Sequence, residues 1–297
     1  MSAALLDPQV VAKLGTLQLR VRQVVEGVLT GLHKSPHHGQ SIEFAEHKEY
    51  APGDEVKLID WKAYGKFDKY YVKRFETETN LRAYVVVDCS GSMGYGAPLS
   101  KLDYAKVLGA SIAYVLTRQQ DAAGLLLCGG GAPAAMTFLP PRASAAHLTA
   151  VVSALEAARG DGPADLGAAL DFLAEKARRR AAIFVLSDLF DESGRALAEL
   201  RRLRRRRNEV AVFHTLDKDE LEFPFDDPMR FLGMEDDRQL EANARDIRDS
   251  YLEEIARFQA DTRRALGEAD VAYELARTDE PLDRALVRFL ARREAGA

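Results

Sequence analysis

Cysteine is scarce: Cys89 and Cys128 are the only two among 297 residues. That excludes a disulfide-stapled scaffold and fits a reducing compartment. Long apolar runs are missing too, since no stretch reaches the ~18 residues that a membrane-spanning helix requires. The opening Met1-Ser-Ala-Ala-Leu-Leu-Asp-Pro8 lacks the basic-then-apolar order of a secretory signal. Charge of one sign is not in excess either, with 41 basic against 46 acidic residues and a net charge of −5. No global field therefore draws the chain to nucleic acid or to an anionic membrane. A Gly-x-x-x-x-Gly-Lys-Ser/Thr phosphate loop, an internal repeat and a low-complexity linker are absent as well. The expectation is a soluble, cytoplasmic, mixed α/β protein with no nucleic-acid or membrane partner.

What is present is ordinary in amount and specific in order. Hydrophobic residues make up 47% and charged residues 29%, enough for a substantial core without metal or disulfide help. Val10, Leu14, Leu17, Val21, Val24, Val28 and Leu32 recur at helical spacing and predict one amphipathic helix. Its apolar stripe either packs on its own domain or pairs with a second helix in self-association. Residues 33–82 lose that period. They hold the tight-turn sequence Tyr50-Ala-Pro-Gly-Asp54, a short strand at Tyr70–Phe75, and aromatics including Phe44, Tyr64, Phe67 and Trp61 that need a docking surface.

From residue 83 the pattern alternates between strand and helix. Strands are predicted at 83–88, 123–128, 135–139, 181–188, 209–216 and 270–276. Helices are predicted at 100–119, 143–158, 165–180, 193–206, 244–266 and 281–294, with an irregular insertion at 217–240. Such alternation implies a doubly wound, mostly parallel sheet covered on both faces. The domain division expected is 1–82, a helix and flank docked on the main domain, and 83–297, the sheet domain.

In a sheet of this kind the functional crevice lies beyond the carboxyl ends of the strands. Two apolar strands end there in acids, Asp88 and Asp188. Asp88 opens Asp88-Cys-Ser90-Gly-Ser92-Met, in which alternate residues of an extended loop point one way. One carboxylate and two hydroxyls converge, joined by Asp188. This hard, oxygen-only, anionic set suits Mg²⁺ or Mn²⁺. The bland alternative is a capped loop over a helix N-terminus with no ion.

The constellation resembles the metal-ion-dependent adhesion site of von Willebrand factor type A domains. In that family the ion keeps a position open for an acidic side chain of a partner. The resemblance implies a Thr ligand in the second loop, but the stretch reads Gly160-Asp-Gly-Pro-Ala164-Asp165-Leu-Gly167. Ala164 stands at the Thr position, so one ligand is missing, and Asp165 or water is its substitute. The order Glu43-Phe44, Tyr50-Ala-Pro-Gly-Asp54, Ile59-Asp60-Trp61 and Tyr71-Val-Lys-Arg-Phe-Glu-Thr-Glu78 is similar to the bacterial family called domain of unknown function 58. That likeness implies a Rossmann-type, von Willebrand factor A-like fold and an association with a MoxR-type AAA+ ATPase. The protein would then be a non-enzymatic interaction module and adaptor, with Gly91, Met93, Asp54 and Trp61 as partner-facing residues. The alternative is a metal-dependent hydrolase, phosphatase-like, using Asp88.

Other features carry less. Cys89 beside Asp88 lacks an activating base, and the acid raises rather than lowers a thiol pKa. His33, His37, His38 and His47 cluster without the fixed spacing and partners of a zinc site. Glycines 129–131 lack the spacing of a dinucleotide loop. The run Arg201–Arg207, with Lys176 and Arg178–Arg180, admits three readings: solvated helix ends opposing the dipole, an acidic protein partner, or nucleic acid.

Overall fold

The computed structural model describes Leu17, Val21, Val24 and Val25, then residues 44–49, 71–75, 81–129, 135–191, 193–282 and 284–288. Two compact units emerge, one of Met1–Lys34 with Leu81–Ala297, the other of Ser35–Asn80. The smaller unit contains an antiparallel pair, β1 (Phe44–Glu49) with β2 (Tyr71–Phe75), whose register shifts between Phe44 and Glu46. β2 matches the expected strand; β1 was not anticipated.

The larger unit is built on a six-stranded sheet. Its strands are β3 (Arg82–Cys89), β4 (Ala122–Gly129), β5 (Met136–Arg142), β6 (Ala182–Ser187), β7 (Glu209–Leu216) and β10 (Ala272–Arg277), in the order β10-β7-β6-β3-β4-β5. All neighbours run parallel except β5, which is antiparallel to β4. β5 sits at the edge, where Pro140 and Pro141 cost no ladder on the outer side. A second two-stranded sheet, β8 (Pro228–Leu232) with β9 (Gln239–Asn243), lies within the stretch expected to be irregular.

The central strands read as unbroken apolar runs because both faces are covered. Val85 and Val87 of β3 join Leu125, Phe184 and Phe213 on one face, packed against α1 (Lys101–Arg118) and α2 (Ala145–Ala157). Tyr84 and Val86 join Leu126, Ile183 and Val212 on the other, against α3 (Leu166–Lys176) and α4 (Arg195–Arg205). The unit also holds the short α5 (Lys218–Glu222), the long α6 (Ala244–Glu268) and helical residues at 282 and 284–288. Alternate residues therefore face opposite layers, as the pleat demands. This is the mixed α/β, largely parallel architecture expected.

Leu17, Val21, Val24 and Val25 are helical and buried in the first of these cores. For Leu17, Val21 and Val24 the apolar stripe packs on its own sheet unit, with Val25 buried beside them. The remaining stripe residues Val10, Leu14, Val28 and Leu32 lie outside the described residues. α3 is shorter than the predicted 165–180: the backbone turns extended at Ala177, and Arg180 takes a positive φ of 64°. No helix among the described residues is long and apolar enough to cross a membrane.

Candidate functional site

β3 and β6 are adjacent and parallel, in register from Ala83 with Ala182 to Val87 with Leu186. Their carboxyl ends therefore emerge together, and so do Asp88 and Asp188. Asp88 is 5% exposed. Its Oδ2 accepts a 2.6 Å hydrogen bond from the Ser187 hydroxyl, and its Oδ1 accepts one of 3.0 Å from the Ser90 amide. The hydroxyls of Ser90 and Ser92 lie 3.1 Å apart. Burial, and then the charge of Asp188, push the Asp88 carboxyl up to about 6 despite the hydrogen bonds from Ser187 and Ser90. The loop holds this shape because Gly91 N–H donates to the Gly162 carbonyl at 2.7 Å, while Ser92–Gly94 close a 3₁₀ turn.

Asp188 is neutralised from within the fold. Lys101, at the first position of α1 after the N-cap Ser100, is fully buried. Its ammonium donates to Asp188 Oδ2 at 2.8 Å and to Glu220 Oε1 at 2.6 Å. It also lies 5.1 Å from the Phe190 ring centroid. Burial opposes this ammonium, but Asp188 and Glu220 outweigh it and hold its pKa above the usual lysine value. The other oxygen of Asp188 accepts from the Phe190 amide at 3.3 Å. Glu220 is fixed by a capping box on α5, in which the Asp217 amide donates to Glu220 Oε2 at 2.8 Å. Behind Asp188, His214 is fully buried, with Nε2 2.9 Å from the Asp188 carbonyl oxygen and Nδ1 3.0 Å from the Tyr273 hydroxyl. Because a carbonyl can only accept, Nε2 carries the proton and Nδ1 receives the Tyr273 hydroxyl. Burial pushes the His214 pKa down to about 4.

Asp88, Ser90, Ser92 and Asp188 thus come together as expected, but with different tasks. Asp165 borders the same cleft as the N-cap of α3. Its Oδ1 accepts from the Ala168 amide at 2.7 Å and its Oδ2 pairs with Arg195 at 2.8 Å. Ala164 also borders the cleft and brings no oxygen side chain. Two partner-facing expectations are corrected. Met93 is fully buried in the first core, and Gly91 is buried beneath the Met234 carbonyl, with which any Cβ would collide. Asp54 and Trp61 lie outside the described residues. Among the described residues no group of three or more His, Cys, Asp or Glu is arranged to hold a metal.

Cys89 and Cys128 are free and buried. Burial, followed by the Asp88 charge, raises both thiols, Cys89 to about 12. Such thiols are poor nucleophiles. Within the arginine run, Arg202 pairs with Asp171 and Glu199, Arg204 with Asp270, and Arg206 reaches the Ala174 carbonyl. These contacts tie three arginines of the run to Asp171 and Ala174 of α3, Glu199 of α4, and Asp270.

The cleft beyond the strand ends measures about 1510 Å³. Part of its wall comes from residues that the sequence reading did not place at the site. Tyr251 and Phe258 of α6 line it, with Phe223, Phe225 and Phe231 of the 217–240 stretch. Phe223 stacks at 4.5 Å on Tyr251 and at 5.9 Å on Phe231, which gives the stretch its own small core. The tip between β8 and β9 brings Met234 and Glu235 over the loop, and Glu235 Oε1 accepts from the Ser92 amide at 3.3 Å. One sequence signal marked Glu220: the Asp-x-x-Glu spacing of Asp217 and Glu220 is a capping pattern. A lysine at a helix N-terminus opposes the dipole, a signal at Lys101 that the sequence reading did not use. Nothing local marked Glu235.

The family model for a protein of unknown function, DUF58, matches residues 46–261. The chain belongs to the DUF58 family. Its similarity to protein Rv1480 of Mycobacterium tuberculosis, itself named uncharacterized, is 29% identity over 302 residues, covering 98% of this chain and 92% of the relative. Among solved structures it is similar to the conserved hypothetical protein BatB of Bacteroides thetaiotaomicron. That match has 16% identity, a TM-score of 0.45, and covers 71% of this chain and 98% of the other. A von Willebrand factor type A structure from Catenulispora acidiphila matches with 13% identity and a TM-score of 0.35, over 48% of this chain and 34% of the other. The architecture described above is read from the strand order and registers themselves.

Proposed function

We propose that this DUF58 chain is a non-enzymatic protein-interaction module whose Asp88–Ser90–Ser92 loop takes a divalent cation, Mg²⁺ or Mn²⁺, and through it a carboxylate of a partner. The observation that carries the reading is the 3.1 Å separation of the Ser90 and Ser92 hydroxyl oxygens beside the buried Asp88. Adjacent corners of an octahedron with metal–oxygen bonds of about 2.1 Å are separated by about 3 Å, so the pair suits two neighbouring ligands of Mg²⁺. Asp88, raised toward neutrality by burial and by Asp188, has the most to gain from a positive charge. Asp188 would act indirectly, since Lys101 and the Phe190 amide already engage its oxygens. Asp165 would remain a helix cap. Such an ion would supply an electrophilic position for an incoming carboxylate, while Asp88, Ser90 and Ser92 hold and orient it.

The proposed partner is a MoxR-type AAA+ ATPase, by family likeness. Calorimetric titration with Mn²⁺ tests the cation: the wild type is expected to bind, and a Ser90→Ala/Ser92→Ala variant to bind at least tenfold more weakly. Equal affinity in the two would remove the loop from the reading. For the partner, the MoxR-type ATPase encoded nearest this chain is expected to bind the wild type and to be lost in Asp88→Ala.

A further inference from the structure

The β8–β9 hairpin is the part of the larger unit that the strand–helix pattern does not require. Its base is anchored, with Phe231 stacked on Phe223 and the Ala244 amide donating to the Asp227 carbonyl. Its tip is closed on itself: Gly233 N–H donates to the Arg238 carbonyl at 2.7 Å, and Asp236 pairs with Arg238. The apolar side chains around the tip do not hold it down. Leu232, Met234 and Leu240 are 58%, 46% and 57% exposed.

What the tip touches is the 90–94 loop. Glu235 Oε1 accepts the Ser92 amide hydrogen at 3.3 Å. The Met234 carbonyl lies so close to Gly91 that residue 91 must be glycine for the two to meet, and the Met234 methyl group approaches Gly94 within the 3.8 Å that a Cβ there would find. A two-stranded hairpin is marginal in isolation, so this polar contact and the phenylalanine base fix its position. A carboxylate from within the chain therefore sits on the loop where the Ser90 and Ser92 hydroxyls converge.

We propose that the β8–β9 hairpin is a displaceable cover, with Glu235 as an internal carboxylate held where a partner's acidic side chain would arrive. The proposal rests on the reading of Asp88–Ser90–Ser92 as the binding loop and adds its regulation. A partner carboxylate reaches the loop by replacing Glu235, and the exposed Leu232, Met234 and Leu240 are the surface by which a partner can draw the hairpin away.

The test has one arm free of metal and one with it. In metal-free buffer, the Ser92 amide is expected to exchange with solvent slowly in the wild type and about tenfold faster in Glu235→Ala, the loss of one charge-assisted hydrogen bond. Glu235→Gln, whose side-chain carbonyl still accepts, is expected to keep the protection. Unchanged Ser92 exchange in Glu235→Ala would overturn the cover. With Mn²⁺ present, N-acetylglutamate is the carboxylate probe: Glu235→Ala is expected to bind it at least tenfold more tightly than the wild type, and equal binding would overturn the competition. Should neither form take up Mn²⁺, the cation reading falls by itself, and the Ser92 exchange still decides the cover.

Discussion

Asparagine at position 88 is expected to make the protein more stable at neutral pH while weakening the cation binding proposed for its loop. Asp88 is 5% exposed, and its carboxyl is raised from 3.8 to about 6, first by burial and then by the neighbouring Asp188. The folded state thus holds the Asp88 proton more tightly than the unfolded chain does. From about pH 4 to about pH 6 the folded state binds more protons, so stability falls as pH rises through that window and the whole cost is present above it. A shift of that size corresponds to about 3 kcal/mol. An asparagine carries no charge to bury. Its carbonyl still accepts the Ser90 amide, and its amino group can donate to the Ser187 oxygen, at the loss of the hydrogen bond that the Ser187 hydroxyl donates to Asp88, about 1 kcal/mol. In urea denaturation with chelator present, Asp88→Asn is therefore expected to exceed the wild type by up to about 2 kcal/mol near pH 7, with the gap closing as pH falls toward 4. Magnesium should narrow that gap by stabilising the wild type alone, by about 2.7 kcal/mol when the ion is at a hundred times its dissociation constant. A variant that is less stable than the wild type by the same amount at every pH would refute the reasoning, because the charge on Asp88 would then be no burden.

The opposite slope comes from His214, which burial lowers to about 4. Its contribution is fully present above the unfolded value near 6.5 and is lost as pH falls toward 4, by about 3 kcal/mol; His214→Gln should lose this acid sensitivity in the same denaturation series, and an unaltered profile would assign it elsewhere. Lys101→Met leaves the buried Asp188 and the partly buried Glu220 without their shared cation, and a loss of about 3–5 kcal/mol is expected. Adding Asp188→Asn and Glu220→Gln to Lys101→Met should restore most of it in thermal melts; no recovery would mean that packing of the lysine stem, rather than its charge, sets the cost.

The fold was legible because its signal is local and repeated. Runs such as Ala83–Asp88 and Ala181–Asp188 are apolar on both faces, which only a covered parallel strand requires, and each adjoins a helical period of its own. The Asp88–Ser90–Ser92 loop was legible for the same reason: a strand end followed by alternating hydroxyls is contained in six residues. The 217–240 stretch obeys a different logic. β8 alternates half-buried and exposed positions over five residues, and β9 is mostly exposed, so neither leaves the apolar run by which a central strand is recognised. Their pairing is justified by Phe223, Phe231 and Tyr251 meeting across the chain. Lys101 and Glu220 are 119 residues apart, yet their contact is what brings an ammonium to Asp188. The ammonium had to be placed against the helix dipole, a local cost that is offset only by two carboxylates arriving from other elements. Glu235 is further still from the loop it touches, 143 positions along the chain from Ser92. A strand-end motif can thus identify the residues that offer oxygen, but which charges neutralise them, and which acid lies over them, is decided by elements whose own sequence signal is weak. That division follows from the physics: burial must be specified residue by residue along a strand, whereas a single charged contact needs one side chain in the right place and leaves no periodic trace.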